Sequence, residues 1–536
     1  MTFDPRPMDL LPALDYWLRT VGGIALIVLL TSLMSVGVSH RGAAIKLFGG
    51  ESVGCLKDLI SLSPRRVWAV AKLTFMEAYR RKALAVFVIF ALLFMFAGWF
   101  MGGETGEITP DHVTVYVSFV LRTISWLTLP LVLVLSSFGI PEDIRLRSIH
   151  TVVTKPARRL EIVLGRVLGF SLVGTLVLGV MSVVGWLWIV RQIPSELLVC
   201  RVPVYGSLEF RDRSGNPAAA GVNTGDIWEF RSYIEGATKA RAIWTFSNIS
   251  ERSLDSEGNL HLENEFLAFR SYKGDMKRSL LYDYQLINKK TGQSYTLPAR
   301  PVNENRSAKD VVPRKLVDDA QKKEYDLIKD FVTDGKLTVE VSCIDREQYL
   351  GMARPDLFIR MPDLGFESGY FKAVLGIEIL MVLVVLLAVT GSTFLKGPIA
   401  ALLTAVILIL GGKDCHEFMD QLVLGRTSAT EGFRGGGFFE SVYRIVTHMN
   451  PTTELPQNPA FTIMKYTDGF LTDFLWLDKQ VIPRLEFFNM AEYVSKGFDV
   501  PFDSSLLPSL MILLGYFIPC VLLGYFALRI RELESK

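Results

Sequence analysis

The chain has 536 residues, half of them hydrophobic, with 57 Lys and Arg against 55 Asp and Glu. A formal net charge of +2 points to no charged partner, nucleic acid included. Apolar residues gathered into runs of more than about 18 exclude an ordinary soluble protein and mark membrane helices.

Seven candidate spans follow at about 20–39, 83–101, 114–139, 163–190, 371–394, 397–411 and 506–528. The sixth is short for a hydrocarbon layer of about 30 Å and reads as tilted or re-entrant. The first twenty residues carry Asp4, Asp9 and Asp15 against Arg6 and Arg19, where a signal peptide needs a positive start. The run 20–39 therefore reads as a retained, reversed anchor.

Lys and Arg in short loops set the orientation. Residues 40–82 hold nine of them and 140–166 hold six, whereas 102–113 has none and carries Glu104, Glu107 and Asp111. The alternation places 40–82, 140–162 and the C-terminus inside. It places the N-terminus, 191–370 and 412–505 outside.

Residues 63–82 read as an amphipathic entry helix lying on the membrane surface. Ser63 suits the N-cap and Pro64 the first helical position. Val67, Val70, Ala71, Phe75 and Ala78 share one face; Arg65, Arg66, Lys72, Arg80, Arg81 and Lys82 supply charge, and Trp68 and Tyr79 suit an interface.

The stretch Ile140–Arg166 is a short basic segment between two spans. Apolar Ile144, Ile149 and Val152 alternate with Arg145, Arg147 and Arg158, the makeup of a helix that seats in a protein groove. Residues 191–368 turn abruptly polar, with short alternating strands at Ile227–Ile234, Ala242–Phe246, Leu281–Ile287, Ser294–Leu297 and Lys336–Cys343. Asn288–Gly292 is a hairpin turn, and a charged helix is expected over Pro313–Phe331. This spacing suggests a β-sandwich. In 412–505, Phe438–Met449 and Phe487–Lys496 read as helices ending at Asn450-Pro451 and Gly497. Phe470, Phe474, Leu475 and Trp476 are too apolar for a free loop, so short helices on the outer membrane face are expected.

Cysteines at 55, 200, 343, 415 and 520 form no CxxC. Cys200 and Cys343 share one external domain and admit a disulfide, although two buried free thiols fit the residue type better. No phosphate-cradling run ends in Gly-Lys-Ser/Thr, so the chain reads as no ATPase itself. The spans hold neither paired aspartates nor a Gly-x-Ser-x-Gly, so an intramembrane enzyme finds no support.

Glu142 leaving a span, Lys155-Pro156-Ala157-Arg158-Arg159, and Gly165-Arg166 entering the next span resemble the second intracellular loop of type-2 ABC exporter permeases. Ser148-Ile149 stands where that family often has Gly-Thr. Glu77-Ala78-Tyr79-Arg80-Arg81 is similar to an element of the permease associated with multicopper-enzyme (nitrous oxide reductase) maturation. The likeness covers 63–190, and the last three spans by topology only; 191–368 lies outside the family pattern. It implies a separate ABC-type ATPase that uses ATP, contacted by Glu142, Asp143, Arg145, Arg147, Lys155, Pro156, Arg158 and Arg159. It also implies a second permease, identical or not, and no cofactor bound by this chain.

The fold expected is an α-helical polytopic membrane protein: one extra N-terminal anchor, a six-helix permease core and an inserted, β-rich, sandwich-like extracytoplasmic domain. Its parts are 1–62, 63–190, 191–368, 369–411, 412–505 and 506–536. Within the spans, Arg122 and Glu378 are functional candidates and a possible ion pair in the outer half of the bundle. His416 and Asp420, at i, i+4, are a weak metal candidate without further ligands at spacing. Trp228, Tyr233, Trp244, Phe246 and Tyr272 line either a sugar platform or, as aromatics at alternating strand positions more often do, the core. The reading is a membrane-embedded transporter subunit of the cell (inner) membrane, surrounded by lipid; the alternative is a membrane-anchored external binding or sensing module.

Overall fold

A computed structural model describes residues 8–39, 58, 61–80, 110–145, 158–222, 231–270, 279–302, 307–318, 323–427, 437–450, 455 and 458–534. Its helices are α1 (Leu10–Ser39), α2 (Pro64–Arg80), α3 (Pro110–Arg145), α4 (Arg159–Gln192), α5 (Phe366–Phe394), α6 (Gly397–Leu410), α7 (Lys413–Thr427), α8 (Phe438–Thr447), α9 (Pro459–Val481), α10 (Ala491–Ser495) and α11 (Leu507–Glu534). The contacts divide the described residues into a β-rich unit, Pro194–Gly369 with Lys496–Asp499, and a helical unit made of the others.

Among the described residues, five stretches are long and apolar enough to cross a membrane: Leu10–Thr31, Asp111–Glu142, Arg159–Gln192, Phe366–Phe394 and Phe502–Leu528. The short sixth run is α6, which bends by 63° into α7, a broken or re-entrant span. The expected span 83–101 lies outside the described residues. The helices overrun the expected spans: α3 continues through Glu142 to Arg145, and α4 begins at Arg159. The connector between them is therefore 146–158, shorter than the segment expected from the charge pattern. The indole Nε1 of Trp17 on α1 donates to the Met511 carbonyl on α11 at 2.8 Å.

The region after α6 departs from the expected short helices. α8 ends at His448, which adopts left-handed φ +52°, near the predicted stop. α9 is 23 residues long. Its apolar residues recur at Ile463, Tyr466, Phe470, Phe474, Leu477 and Val481, all exposed along a helical stripe that a reading of 470–476 alone does not reveal. The Asp468 carboxylate on α9 accepts the Phe439 and Glu440 N–H groups at 2.9 Å and so caps α8. The expected helix 487–496 shrinks to a 3₁₀ turn, Leu485–Phe488, and α10.

Among the described residues the β-rich unit has two larger antiparallel sheets, besides a three-stranded one of Ser232–Glu235, Gln348–Met352 and Leu267–Arg270 and a two-stranded one. One of the larger sheets orders the strands Val199–Tyr205, Leu357–Gly365, Asn259–Asn264 and Ala308–Pro313. The other runs Arg300–Pro301, Leu281–Ile287, Lys336–Cys343, Arg241–Phe246, Ser207–Arg211 and Pro217–Ala218. Leu260, Leu262, Val312 and Ile359 of the first sheet join Trp244, Phe246, Tyr284, Leu286, Val339 and Val341 of the second in one core, the arrangement of a sandwich. Leu281–Ile287 buries every second residue, as its alternation demands. Lys336–Cys343 is central and paired on both edges, so its other face, Thr338, Glu340 and Ser342, is buried too. Asn288 Oδ1 accepts the Lys290 N–H at 2.9 Å, and Gly292 takes φ +70°, closing the expected hairpin.

Two readings of this unit change. Pro313–Phe331 is not a helix: within it lie the antiparallel strands Lys315–Asp318 and Lys323–Asp326 and the short turn Leu327–Phe331. Leu316, Tyr325 and Leu327 reach the core at strand spacing, and Asp326 binds the Ile328 and Lys329 N–H groups, which outweighs the helix-favouring charged residues. Lys496–Asp499 belongs to this unit: the Arg201 N–H donates to Gly497 O and the Asp499 N–H to Arg201 O, both at 2.8 Å. Cys200 and Cys343 are free, buried thiols, the first beside Asp499 and the second beside the Asp345 carbonyl. Tyr233, Trp244 and Phe246 are core residues; Trp228 and Tyr272 lie outside the described residues.

Candidate functional site

The site most clearly built in the helical unit is the seat of α2 on the first turns of α4. Pro64 opens α2, and the Arg66 and Val67 N–H groups close on Ser63 O at 3.0 and 3.1 Å. The face that turns inward is Val70, Ala71, Thr74 and Ala78, close to the expected apolar face, and its partner is protein. Trp68 and Tyr79 stay exposed, as do Arg65 and Arg80; Arg81 lies outside the described residues.

Two glycines of α4 permit the close approach. A Cβ on Gly165 would stand 2.5 Å from Val70 Cβ and 3.0 Å from Val67 O. One on Gly169 would stand 2.5 Å from Thr74 Cβ and 2.8 Å from Ala71 O. Gly165-x-x-x-Gly169 thus lets two backbones meet, as small residues four apart do between membrane helices.

Charge pins both ends of this seat. The Glu161 carboxylate is fully buried; it accepts the Ser63 and Arg158 N–H groups at 3.0 Å each and lies 3.3 Å from Arg66 Nε. It ties the start of α2 to the start of α4 while capping the latter, where a negative charge also suits the helix dipole. Further along, buried Arg166 reaches the Glu77 carboxylate at 2.7 Å. Arg158 also pairs with Asp58 at 3.2 Å.

The expected coupling residues fall at the two rims of the 146–158 connector. Glu142, still helical, lies 3.7 Å from exposed Arg145 one turn on. Arg158 and Arg159 are half-buried at the start of α4. Arg147, Lys155 and Pro156 lie outside the described residues, as does the side chain of Asp143. The structure thus gathers Arg66, Arg158 and, one turn in, Arg166 around acidic partners.

One expectation is corrected, and one weak candidate gains no further ligands. Arg122 and Glu378 do not pair: Arg122 is exposed on α3, and Glu378 Oε1 instead meets Thr175 Oγ1 of α4 at 2.6 Å. Helical phase decides this, since the face of α3 holding Leu121 and Ile124 is buried and Arg122 turns away from it. His416 and Asp420 share α7, but Asp420 pairs with Lys479 and with Arg484 at 3.7 Å. Among the described residues no group of three His, Cys, Asp or Glu is placed to hold a metal.

Glu161, Gly169 and Thr175 are functional-site residues that the sequence pattern does not single out. An acid in the first turn of a span and glycines four apart are the signals present for the first two; a hydroxyl inside an apolar helix is a weak one. No protein-family model, curated protein or solved structure matches the chain.

Proposed function

We propose that this chain is the membrane-spanning permease subunit of an ATP-driven ABC transporter, an exporter, driven by a separate ATPase through the connector after α3. In this reading the chain crosses the cell membrane several times, with the β-rich unit outside and the connector inside. It pairs with a second permease, because two ATPases need two contact surfaces. The observation that carries the reading is the seat of α2 on α4. A protein docked on 146–158 would push on the end of α3 and on an α4 start already bound to α2 through Glu161, Arg66, Gly165 and Gly169. A buried, charge-pinned helix pair behaves as one rigid lever, so a small displacement at its tip reaches the spans.

The test is co-purification from membranes of the native host. The unmodified chain is compared with one carrying Arg145→Glu, Arg147→Glu and Lys155→Glu, which spares the buried Glu161 cluster. An ABC-type ATPase with the first and not the second supports the reading and its site. No ATPase with either sinks it in favour of a membrane-anchored binding module. An ATPase with both moves the contact away from this connector.

A further inference from the structure

Near the middle of α4 and α5 lies a carboxyl group with no cationic partner among the described residues. The two helices meet there: Tyr370 OH of α5 donates to Ser182 O of α4 at 2.8 Å, and one stretch further along Glu378 Oε1 stands 2.6 Å from Thr175 Oγ1. Thr175 Oγ1 is also 2.8 Å from the Ser171 carbonyl, one turn earlier on its own helix. A hydroxyl carries a single hydrogen. If Thr175 gives that hydrogen to Ser171 O, the contact with Glu378 is a hydrogen bond only when the carboxyl bears a proton and donates it to Oγ1. Ser171 Oγ, buried beside this pair in sequence, has no hydrogen-bond partner among the described residues.

We propose that Glu378 is an intramembrane proton-binding site, a carboxyl kept neutral by its apolar surroundings, with Thr175 as its hydrogen-bond partner in both states, and able to exchange its proton with water. On release, the Oε–H bond breaks and the proton passes to water. The Thr175 hydrogen then turns from Ser171 O to the new carboxylate, so the same two side chains satisfy both states. Ionisable residues inside spans mark proton or substrate pathways because hydrocarbon tolerates their charge so poorly. Both helices need only cross a membrane for this; no ATPase is involved.

No charged group of the described residues offers Glu378 an ion pair. On α5, Lys372 is six residues away, about 9 Å of helical rise, and Glu367 is further. On α4, Arg166 is committed to Glu77, Glu161 to Arg66, and Arg191 lies at the far end. Arg122 of α3 is exposed. Met490, which meets Gly376, has the acidic Glu486 and Glu492 near it in the chain, and Arg484 beyond them pairs with Asp420 at 3.7 Å; the charges of α11, Arg529 to Glu534, sit at its C-terminal end.

The test uses the full chain in phosphatidylcholine vesicles. Infrared spectra at neutral pH are expected to show a carboxylic-acid C=O band that Glu378→Gln lacks. Its frequency shifts in Thr175→Val, where the acid has lost its acceptor, and is kept in Thr175→Ser. Dicyclohexylcarbodiimide, an apolar reagent for protonated carboxyls, should label Glu378 of the unmodified chain, located by peptide mass spectrometry. Labelling should fall roughly tenfold per pH unit once the proton is lost, the slope of a single site. No acid band and no adduct on Glu378 would overturn the proposal. A band indifferent to Thr175→Val would remove Thr175 from it. Because labelling needs no variant, a misfolded Glu378→Gln cannot hide either result.

Discussion

The two units solve opposite solvent problems with the same residue types. In the β-rich unit, Leu, Val and aromatic side chains turn inward to one core, and its buried carboxylates meet arginines: Glu263 with Arg201 and Arg360, Asp356 with Arg231. In the helical unit, Leu176, Val180, Val183 and Leu187 form an exposed apolar stripe along α4, while Ser171, Ser182, Glu161 and Arg166 of that helix are buried. Polar groups inside and apolar groups outside are what hydrocarbon solvent demands, because only the interior offers hydrogen bonds. Exposure therefore means different things on the two sides of one chain.

The sharpest test of a buried anchor in the helical unit is Glu161→Ala. It removes a fully buried carboxylate that two backbone N–H groups and the Arg66 guanidinium share. Removing one partner of such a pair costs about 3–5 kcal/mol. We expect that loss in reversible unfolding of the chain in mixed micelles, together with new tryptic cleavage at Arg65 or Arg66. A loss below about 1 kcal/mol, the range of exposed pairs, would show that α2 is held by Gly165 and Gly169 alone.

The comparison itself is tested by a matched pair. Val183 on α4 and Val311 in the β-rich unit are similarly exposed, 48% and 44%. In a membrane, Val183→Arg should cost about 1–2 kcal/mol, part of the roughly 2.5–3.5 kcal/mol of a charge at the centre of a span, because Val183 lies about 11 Å of rise from the middle of α4. Val311→Arg should stay within about 0.5 kcal/mol, as at an ordinary wet surface. Insertion assays for α4 and unfolding of the full chain read the two values. Equal effects would break the two-solvent picture.

How far the sequence foretold this follows the same division. Hydropathy placed the long helices because length and apolarity suffice for that, and the hairpin at Asn288–Gly292 was legible in five residues. Strands such as Leu281–Ile287 were legible because one face is wet. What stayed hidden depends on partners. Arg122 and Glu378 looked alike in depth, yet helical phase sends one outward and the other to Thr175. Pro313–Phe331 looked helical by composition, and tertiary burial of Leu316 and Tyr325 made it strand. The role of Glu161 requires knowing that Ser63, 98 residues earlier, comes to it.

Acid should separate the units less strongly. Asp212 is held below the ordinary carboxylate range by the Asn216 N–H at 2.8 Å, and Asp255 by the Asn259 N–H at 2.7 Å and the His261 ring. A carboxyl whose folded pKa is depressed stabilises the fold above its unfolded value, about 3.9, and that stability is lost as pH falls through the folded one. The β-rich unit should hold a constant unfolding midpoint from pH 7 to 5 and lose it below about pH 4. Asp255→Asn should flatten the decline; an unchanged profile would take Asp255 out of the account.

The smallest expected effect is a null result with a definite cause. Burial in the sandwich core pushes the Cys343 thiol up to about 12, and Cys200 is buried in the other sheet. The thiolate is the reactive form, so neither residue should be alkylated by iodoacetamide at pH 8 while the unit is folded. Both should react fully after denaturation without reductant, since neither is in a disulfide. A requirement for reductant would mean that Cys200 and Cys343 are joined, and the two sheets would then have to approach more closely at that edge than they do. Native alkylation of Cys343 alone would instead mean that the central strand Lys336–Cys343 opens at its end, where the Ala237 N–H binds its last carbonyl at 3.0 Å.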